Sequence, residues 1–370
     1  MLVFLSVAFL VYGSMHLYAL SKVWLALPHS IGLGLSLVLF GLVMTFSPLI
    51  LWQIAKQNWH GITVALSWVT YVWMGFLFLF FCIAMVFDLG FVLALLLGFR
   101  WPFSEASALL TVGALALLVM GYGFFEAGQL RVENVRVATA KLPQWAGRVT
   151  IAQISDLHLG VMRGDKFLER IMARLRELQP DIVVATGDIL DGQGDDLDEL
   201  ASRFHAYKAP KGAYAIIGNH EYYAGLDNSL RFLKGAGFAV LRGQWAAAGG
   251  VVFVGVDDPS VGTQAREIGA DTLKFLDSRQ NDSFIILLKH QPMVDGSAPF
   301  DLQLSGHTHG GQIFPFGLIT QLTYHVHTGL TQFADGQRLY LSRGAGTWGP
   351  PIRVLAPPEI TLITIERENK

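Results

Sequence analysis

The sequence is short of cysteine and of charge, and both shortages limit what the protein can be. Its 370 residues include one cysteine, Cys82, so a single chain can form neither a disulfide nor a metal site of several thiolates. Any bound metal must therefore be held by nitrogen and oxygen atoms. Charged residues make up 15% of the chain and the formal net charge is −2, so nothing indicates a basic surface for nucleic acid.

Charge is missing above all from the first third of the chain. Six charged residues stand between Met1 and Gly128, namely Lys22, Lys56, Asp88, Arg100, Glu105 and Glu126. Beyond Gly128 charge returns to the density of an ordinary globular protein, although the mean hydropathy of the whole chain is +0.43. This break predicts a membrane anchor over residues 1–128, a linker and first edge of a soluble domain over 129–148, and the soluble domain over 149–370.

The anchor contains four apolar stretches that are long enough to cross a bilayer, which takes about 20 residues. They cover about residues 2–21, 31–54, 62–87 and 106–125. We therefore expect a four-helix transmembrane region. The apolar run from Leu89 to Phe99 is too short to span by itself, so it either extends the third helix or lies at the membrane surface. His16 is the candidate for a transport role, but its position near a helix end favours a simple anchor.

Four spans place both ends of the anchor on one side of the membrane. That side carries the basic residues Lys56, Arg131, Arg136 and Lys141, and the other side carries Lys22 and Arg100. Because basic residues are enriched in cytoplasmic loops, the pattern favours a cytoplasmic soluble domain.

The soluble half has the pattern of short strands separated by helices. The predicted strands are Val149–Ile154, Ile182–Ala185, Tyr214–Ile217, Val251–Val256, Phe284–Leu288, Leu302–Leu304, Leu339–Leu341 and Ile360–Ile365. After the first strand, Phe167, Ile171 and Leu175 recur at helical spacing and predict a helix over Asp165 to Leu178, which Pro180 ends. Strands that alternate with helices and then cluster indicate an α/β core of packed sheets covered by helices.

Five of the predicted strands are followed by residues that can bind a metal. In chain order these residues are Asp156 and His158, then Asp188, then Asn219, then His290, then His307 and His309. Each block alone also fits an ordinary turn or helix cap. Together, carboxylate, amide and imidazole groups suit divalent ions such as Mn²⁺, Fe²⁺ or Zn²⁺. Seven ligands are too many for one ion with an open position, but they suit two ions that share a carboxylate and activate water.

The order of these blocks resembles the calcineurin-like metallophosphoesterase superfamily. The shared pattern is Asp-x-His, Gly-Asp-x-x-Asp, Gly-Asn-His-Glu, His and Gly-His-x-His, and it covers about residues 149–345. The resemblance implies a hydrolase with two divalent metal ions in an αββα sandwich that follows the transmembrane region.

The resemblance also implies a role for each residue of the pattern. Asp156, His158 and His309 are expected on the first metal, and Asn219, His290 and His307 on the second, with Asp188 bridging both. His220 is expected to donate a proton to the leaving oxygen or to contact the phosphoryl group. Glu221 stands where the superfamily more often has Asp, and it is expected to orient His220.

Further motifs resemble a membrane-associated bacterial phosphodiesterase branch, similar to enzymes that split UDP-2,3-diacylglucosamine during lipid A synthesis. These motifs are residues 306–313, Ser342-Arg343-Gly344 and residues 346–351. They imply a phosphorylated, lipid-linked substrate and a location in a bacterial inner membrane. Arg343 is a candidate contact for phosphate or head group, with a surface ion pair as the alternative. Trp348 is a candidate contact for lipid or sugar.

Two further histidines, His325 and His327, lie outside the motifs, and surface or structural roles are expected for them. A broad phosphatase for soluble nucleotides or phosphoproteins is an alternative function, as is a metal-binding sensor or transporter without turnover. The sequence does not indicate an oligomeric state.

Overall fold

The computed structural model describes residues 2–57, 59–191, 197–259, 262, 265–268, 270–279, 283–294, 299–334 and 336–368, without the side chains of residues 2–5 and 270. The chain divides into two compact units. The first unit consists of Met1–Phe125 and Gly349–Val354, and the second unit of Glu126–Trp348 and Leu355–Lys370.

Most of the first unit consists of long apolar helices. They are α1 (Leu2–Ala26), α2 (Ile31–Ala55), α3 (His60–Leu96) and α4 (Glu105–Ala127). Of the described residues, α2, α3 and α4 form helices that are long and apolar enough to cross a membrane. The expected number of four spans is therefore corrected to three candidates. The fourth, residues 2–21, lies in α1, whose first side chains are outside the described residues and whose second half carries Ser14, His16 and Lys22.

Helix α3 also decides between the two alternatives for the apolar run after Leu89. The helix continues to Leu96 without interruption, so most of this run extends the third helix.

Polar side chains of the first unit bond to one another in small groups. Trp73 Nε1 donates a hydrogen bond to His16 Nε2 at 2.8 Å. Lys22 Nζ and the Tyr18 hydroxyl each lie 2.6 Å from an oxygen of the Asp88 carboxylate. Each group thus meets a partner on another helix, which is what a stable bundle of apolar helices requires.

The second unit contains two mixed sheets. Among the described residues its strands are β1 (Arg131–Thr139), β2 (Arg148–Ile154), β3 (Ile182–Thr186), β4 (Ala213–Ile216), β5 (Ala239–Val240), β6 (Gln244–Ala248), β7 (Val251–Gly255), β8 (Phe284–Leu288), β9 (Leu302–Ser305), β10 (Gly329–Gln332), β11 (Arg338–Leu341) and β12 (Glu359–Arg367). The first sheet has the order β1-β12-β2-β3-β4-β5, and the second has the order β10-β11-β9-β8-β7-β6. Strands β2, β3 and β4 run parallel, as do β7, β8 and β9, so each set ends at one edge of its sheet.

Helices cover the outer faces of both sheets, namely α5 (Asp165–Leu178), α6 (Leu197–His205) and α8 (Leu226–Gly235) on the first sheet and α9 (Ala270–Arg279) on the second. Two other helices, α7 (Asn219–Tyr223) and α10 (Phe316–Tyr324), follow β4 and β9. Apolar side chains such as Ile151 and Phe253 fill the space between the sheets. Leu168 of α5 packs on the outer side of the first sheet, and Leu276 of α9 on the outer side of the second. Strands buried on both faces explain why the sequence shows uninterrupted apolar runs there.

Strand β1 forms the edge of the first sheet, pairing in parallel with β12. It lies within residues 129–148, for which a linker and a first edge were expected. Its inward and outward side chains alternate, and Arg131, Glu133 and Arg136 interrupt its apolar pattern, as is typical of an edge strand.

Candidate metal centre

The carboxyl ends of five strands bring the seven predicted ligands together. Residues after β2, β3, β4, β8 and β9 form three groups whose possible ligand atoms lie within 4.8 Å of one another. The groups are Asp156 with His158 and His309, Asp188 with His290 and His307, and His158 with Asp191 and His220. The remaining predicted ligand, Asn219, places its Oδ1 3.1 Å from His307 Nδ1. This convergence follows from the parallel strands, whose loops must meet at one edge.

Ring nitrogens face each other in two pairs. His158 Nε2 lies 3.0 Å from His309 Nε2, and His307 Nδ1 lies 3.2 Å from His290 Nε2. Two nitrogens that bind one ion at about 2.1 Å and at right angles to each other lie about 3 Å apart. Both pairs therefore have the spacing of ligands that share a cation.

A carboxylate accompanies each pair of nitrogens. Asp156 Oδ1 lies 3.5 Å from His309 Nε2, and Asp188 Oδ2 lies 3.0 Å from His290 Nε2. The same Asp188 oxygen is 4.0 Å from His158 Nε2 of the other pair. Because Asp188 faces both pairs and all donors are nitrogen or oxygen, the residues fit a dinuclear metal site with Asp188 at its centre.

The backbone is strained where the ligands are. Asp156, His158, Asp188, His307 and His309 have φ between 49° and 72°, in the left-handed region that non-glycine residues seldom adopt. Such conformations persist where the surrounding structure enforces them, and they concentrate at functional sites. Five of the seven predicted ligands have this left-handed backbone conformation, which the spacing of the motifs did not predict.

Close approach of two ligand loops requires a glycine at position 306. A Cβ atom there would lie 2.0 Å from Ser155 Oγ and 2.2 Å from Asp156 Oδ2. The next residue, His307, donates its backbone N–H to Asp156 Oδ1 at 2.9 Å. The loop after β9 is thus hydrogen-bonded directly to the Asp156 carboxylate.

Glu221 is fully buried and holds the loop that carries Asp188. Its carboxylate accepts hydrogen bonds from the backbone N–H groups of Asp188, Ile189, Leu190 and Gly218, at 2.7–3.1 Å. Burial and the neighbouring Asp188 carboxylate raise the pKa of Glu221, and these backbone donors oppose that shift. The side chain was expected to orient His220, but its described partners lie on the Asp188 loop and at Gly218.

Asp191 is the carboxylate that contacts the imidazole of His220. Its Oδ1 lies 2.8 Å from His220 Nδ1 and 3.5 Å from His158 Nδ1. Burial would raise the pKa of Asp191, but hydrogen bonds with His158 and His220 outweigh burial and lower it to about 2. Outer carboxylates of this kind fix the orientation of histidines beside a metal.

The charges of the site act strongly on His220. Burial alone would lower its pKa, but the Asp188 carboxylate and the hydrogen bond with Asp191 outweigh burial and raise the pKa to about 9. Both carboxylates thus favour the protonated form of the imidazole. Asp188 behaves in the complementary way, because His290 and His220 more than offset its burial and hold its pKa well below the usual value.

Aromatic rings flank His220, and one of them was not anticipated. The ring of Tyr223 lies 5.4 Å and that of Trp348 5.8 Å from the imidazole, and both side chains are exposed. The Gln312 side chain holds the backbone of Trp348. Its Nε2 donates a hydrogen bond to the Trp348 carbonyl at 3.0 Å, and its Oε1 accepts one from the Trp348 N–H at 2.9 Å. The only sequence signal for Tyr223 was its position just after the Gly-Asn-His-Glu block.

Other candidate residues are not grouped with the ligands in the described part of the chain. The Arg343 guanidinium lies 2.5 Å from oxygens of Glu133 and of the buried Glu359, so it forms ion pairs, of which the one with Glu359 is not the surface ion pair that was its alternative role. Its role as a substrate contact stays a prediction. His325 and His327 are exposed.

Comparison with known proteins places this site in a family. A model of the family described as calcineurin-like phosphoesterase matches residues 149–311. An uncharacterized metallophosphoesterase of Aquifex aeolicus is 40% identical over 257 residues, which cover 68% of this chain and 98% of that protein. The chain therefore belongs to the calcineurin-like metallophosphoesterases. It is a phosphoester hydrolase.

More distant relatives are longer than the region they share with this chain. An uncharacterized metallophosphoesterase of Campylobacter jejuni is 32% identical over 241 residues, 64% of each protein. A Danio rerio protein described as a transmembrane protein with metallophosphoesterase domain is 32% identical over 265 residues, which cover 66% of this chain and 60% of that protein. The chain thus spans less than two thirds of these two relatives.

Proposed function

We propose that the chain is a membrane-bound, dinuclear-metal phosphoesterase that hydrolyses a phosphodiester or pyrophosphate bond in a lipid-linked substrate. UDP-2,3-diacylglucosamine is the example that the motif resemblance suggests. The observation that carries the hydrolase is the buried set of nitrogen and oxygen donors on both sides of Asp188. The candidate spans support the lipid-linked substrate, because they keep the hydrolase at a bilayer.

The proposed ligands divide between two ions. Asp156, His158 and His309 hold the first ion, and Asn219, His290 and His307 hold the second, while Asp188 is shared. When bound, two divalent ions such as Mn²⁺, Fe²⁺ or Zn²⁺ supply the positive charge that activates water and stabilises the charge of the transition state.

His220 supplies the proton for the leaving oxygen. Asp191 keeps the ring oriented through Nδ1, and its carboxylate favours the protonated imidazole that this role requires. The other nitrogen, Nε2, is then free of that hydrogen bond and can donate to substrate. General acid catalysis by such a residue contributes about 10²–10⁴-fold to a rate.

The membrane location is proposed to be a bacterial inner membrane with the second unit in the cytoplasm. The distribution of Lys and Arg around the spans supports this orientation. The Danio rerio relative described as a transmembrane protein supports the membrane location in general.

The substitution Asp188→Asn tests the hydrolase. We expect the full chain, purified in detergent, to hydrolyse a chromogenic phosphodiester when Mn²⁺ is present, and the variant to lose about 10²-fold or more of that rate because the shared carboxylate is gone. Metal content, measured by mass spectrometry, should fall in the variant. Asp271→Asn, at a fully exposed carboxylate of α9, is the matched control and should change neither quantity. Undiminished hydrolysis by Asp188→Asn would refute the proposed site.

A phosphatase for soluble nucleotides is the second candidate, and one observation favours it. The exposed rings of Tyr223 and Trp348 beside His220 are suited to stack on a planar base. Comparing kcat/KM for a lipid-linked diester in vesicles, a nucleotide and a phosphopeptide separates the candidates. Metal binding without hydrolysis of any of them would indicate a sensor instead.

A further inference from the structure

Helix α10 exposes an apolar surface on the second unit. None of its nine residues is buried, and Leu322 is 74% exposed. Its exposed apolar side chains, together with that of the preceding turn, are Phe314, Phe316, Leu318, Ile319 and Leu322. From Leu302 to Ala334 the sequence contains no Asp, Glu, Lys or Arg. Monomeric soluble proteins rarely leave contiguous apolar patches of this kind in water, so the surface indicates a partner.

This helix is packed directly on the loop that carries two of the predicted ligands. A Cβ atom at Gly311 would lie 2.1 Å from the backbone nitrogen of Gly317, so the start of α10 rests against the turn that follows His309. At the other end of the helix, the ring of Tyr324 lies 5.8 Å from that of His307. The apolar surface therefore adjoins the metal centre.

The chain itself indicates what this surface meets. Residues 128–130 alone separate Ala127, the end of α4, from Arg131, the start of β1, so this strand begins within about 14 Å of the end of a candidate membrane span. Trp348 and Leu355, 55% and 67% exposed, flank in sequence the segment Gly349–Val354, which belongs to the apolar first unit. Nine residues are too few to span a bilayer but enough to lie in its surface.

We propose that α10 is an interfacial helix, whose apolar side chains enter the boundary between head groups and acyl chains of the bilayer that the chain's own helices cross. The metal centre then takes its phosphoester from the lipid phase, a consequence that rests on the proposed function. The bilayer is the occupant that the chain itself provides, because a candidate span ends three residues before β1 and the exposed Phe, Leu and Ile side chains of α10 carry no charge that would have to leave water.

The membrane contact can be measured without any hydrolysis. The full chain with Cys82→Ser and Leu322→Cys, labelled on the new thiol with an environment-sensitive fluorophore, is reconstituted into phosphatidylcholine vesicles. We expect blue-shifted emission and strong quenching by phospholipids brominated in the acyl chain. The matched control is Leu273→Cys, an exposed leucine on α9 beside Asp271 and Lys274, and it should show neither effect. Equal quenching at both positions, or none at Leu322, overturns the proposal. A blue shift that disappears on dilution of the protein in lipid indicates a second copy of the chain and overturns it as well.

A second measurement separates this proposal from the proposed function. In the double variant Leu318→Gln with Leu322→Gln, we expect kcat/KM for a vesicle-borne lipid phosphodiester to fall about tenfold or more, with hydrolysis of a soluble chromogenic diester unchanged. Leu273→Gln should leave both activities at the wild-type value. Wild-type activity of the double variant on both substrates contradicts the role of α10. If the unmodified chain hydrolyses neither substrate, the proposed function fails, and the quenching result still decides whether α10 meets the bilayer.

Discussion

The two units both bury polar side chains, and they satisfy them in different ways. In the first unit, polar side chains of different helices pair with complementary partners, as when the Trp73 N–H donates to His16 and Lys22 meets Asp88. In the second unit imidazole nitrogens face each other, His158 against His309 and His290 against His307, with carboxylates beside them. Pairs of a donor and an acceptor hold a fold together, whereas ring nitrogens and carboxylates that converge on one point are suited to bind a cation. This contrast separates a structural set of polar residues from a functional one within a single chain.

The largest effect is expected from a substitution of His220. This residue is proposed to transfer a proton without binding a metal, which distinguishes it from the ligands of the second unit. His220→Gln should lower kcat by about 10²–10⁴-fold and leave the metal content unchanged. The loss should be smaller for a diester with a good leaving group, such as nitrophenol, which needs little protonation.

Steady-state kinetics with two diesters and mass spectrometry for metal check this prediction. His205→Gln, at an exposed histidine of α6, is the control and should behave as the wild type. If His220→Gln loses its metal together with its activity, the residue belongs among the ligands and the proposed proton transfer is wrong.

A smaller effect is expected in the first unit, where His16→Leu removes the acceptor of the Trp73 N–H. An unsatisfied buried donor costs about 1–3 kcal/mol, so the midpoint of thermal unfolding in detergent should fall by a few degrees. Hydrolysis of the soluble diester per folded molecule should not change. A lower kcat of His16→Leu at full metal content would contradict the comparison between the two units, because it would mean that the first unit contributes to catalysis.

The smallest effect tests an ordinary ion pair of the second unit. Asp181 accepts hydrogen bonds from Thr150 and lies 2.8 Å from Lys211 Nζ. Burial alone would raise the pKa of Asp181, but the contacts with Lys211 and Thr150 outweigh burial and lower the pKa. A carboxyl whose pKa is lower in the folded than in the unfolded state stabilises the fold above its unfolded pKa of about 3.9, and this stability is lost as pH falls through the folded pKa.

Asp181→Asn should therefore destabilise the chain by about 1 kcal/mol or less at neutral pH, and the difference from the wild type should shrink below about pH 4. Thermal unfolding in detergent between pH 3 and pH 7 measures it. A difference that stays constant over this range would mean that the contacts of Asp181 do not depend on its charge.

Local patterns in the sequence predicted much of the second unit. Helix α5 has the predicted bounds because its apolar residues recur at helical spacing on one face. The ligand blocks could be grouped because parallel strands end at one edge. Helix α10 was not predicted, since a helix with no buried face has no periodic signal. The position of Glu221 was not predictable either, because its partners are backbone N–H groups that become neighbours only after folding.

The left-handed backbone at the ligands also limits which substitutions the protein can accept. Among side chains other than glycine, Asn, Asp and His tolerate this conformation best. The backbone therefore selects for the same residue types that the metal chemistry selects for. Glutamate and cysteine are capable ligands elsewhere, but at Asp156 or His307 each would meet a conformational penalty before its reach to a cation mattered. We thus expect variation at these positions to stay within a set of residues narrower than coordination chemistry alone would allow.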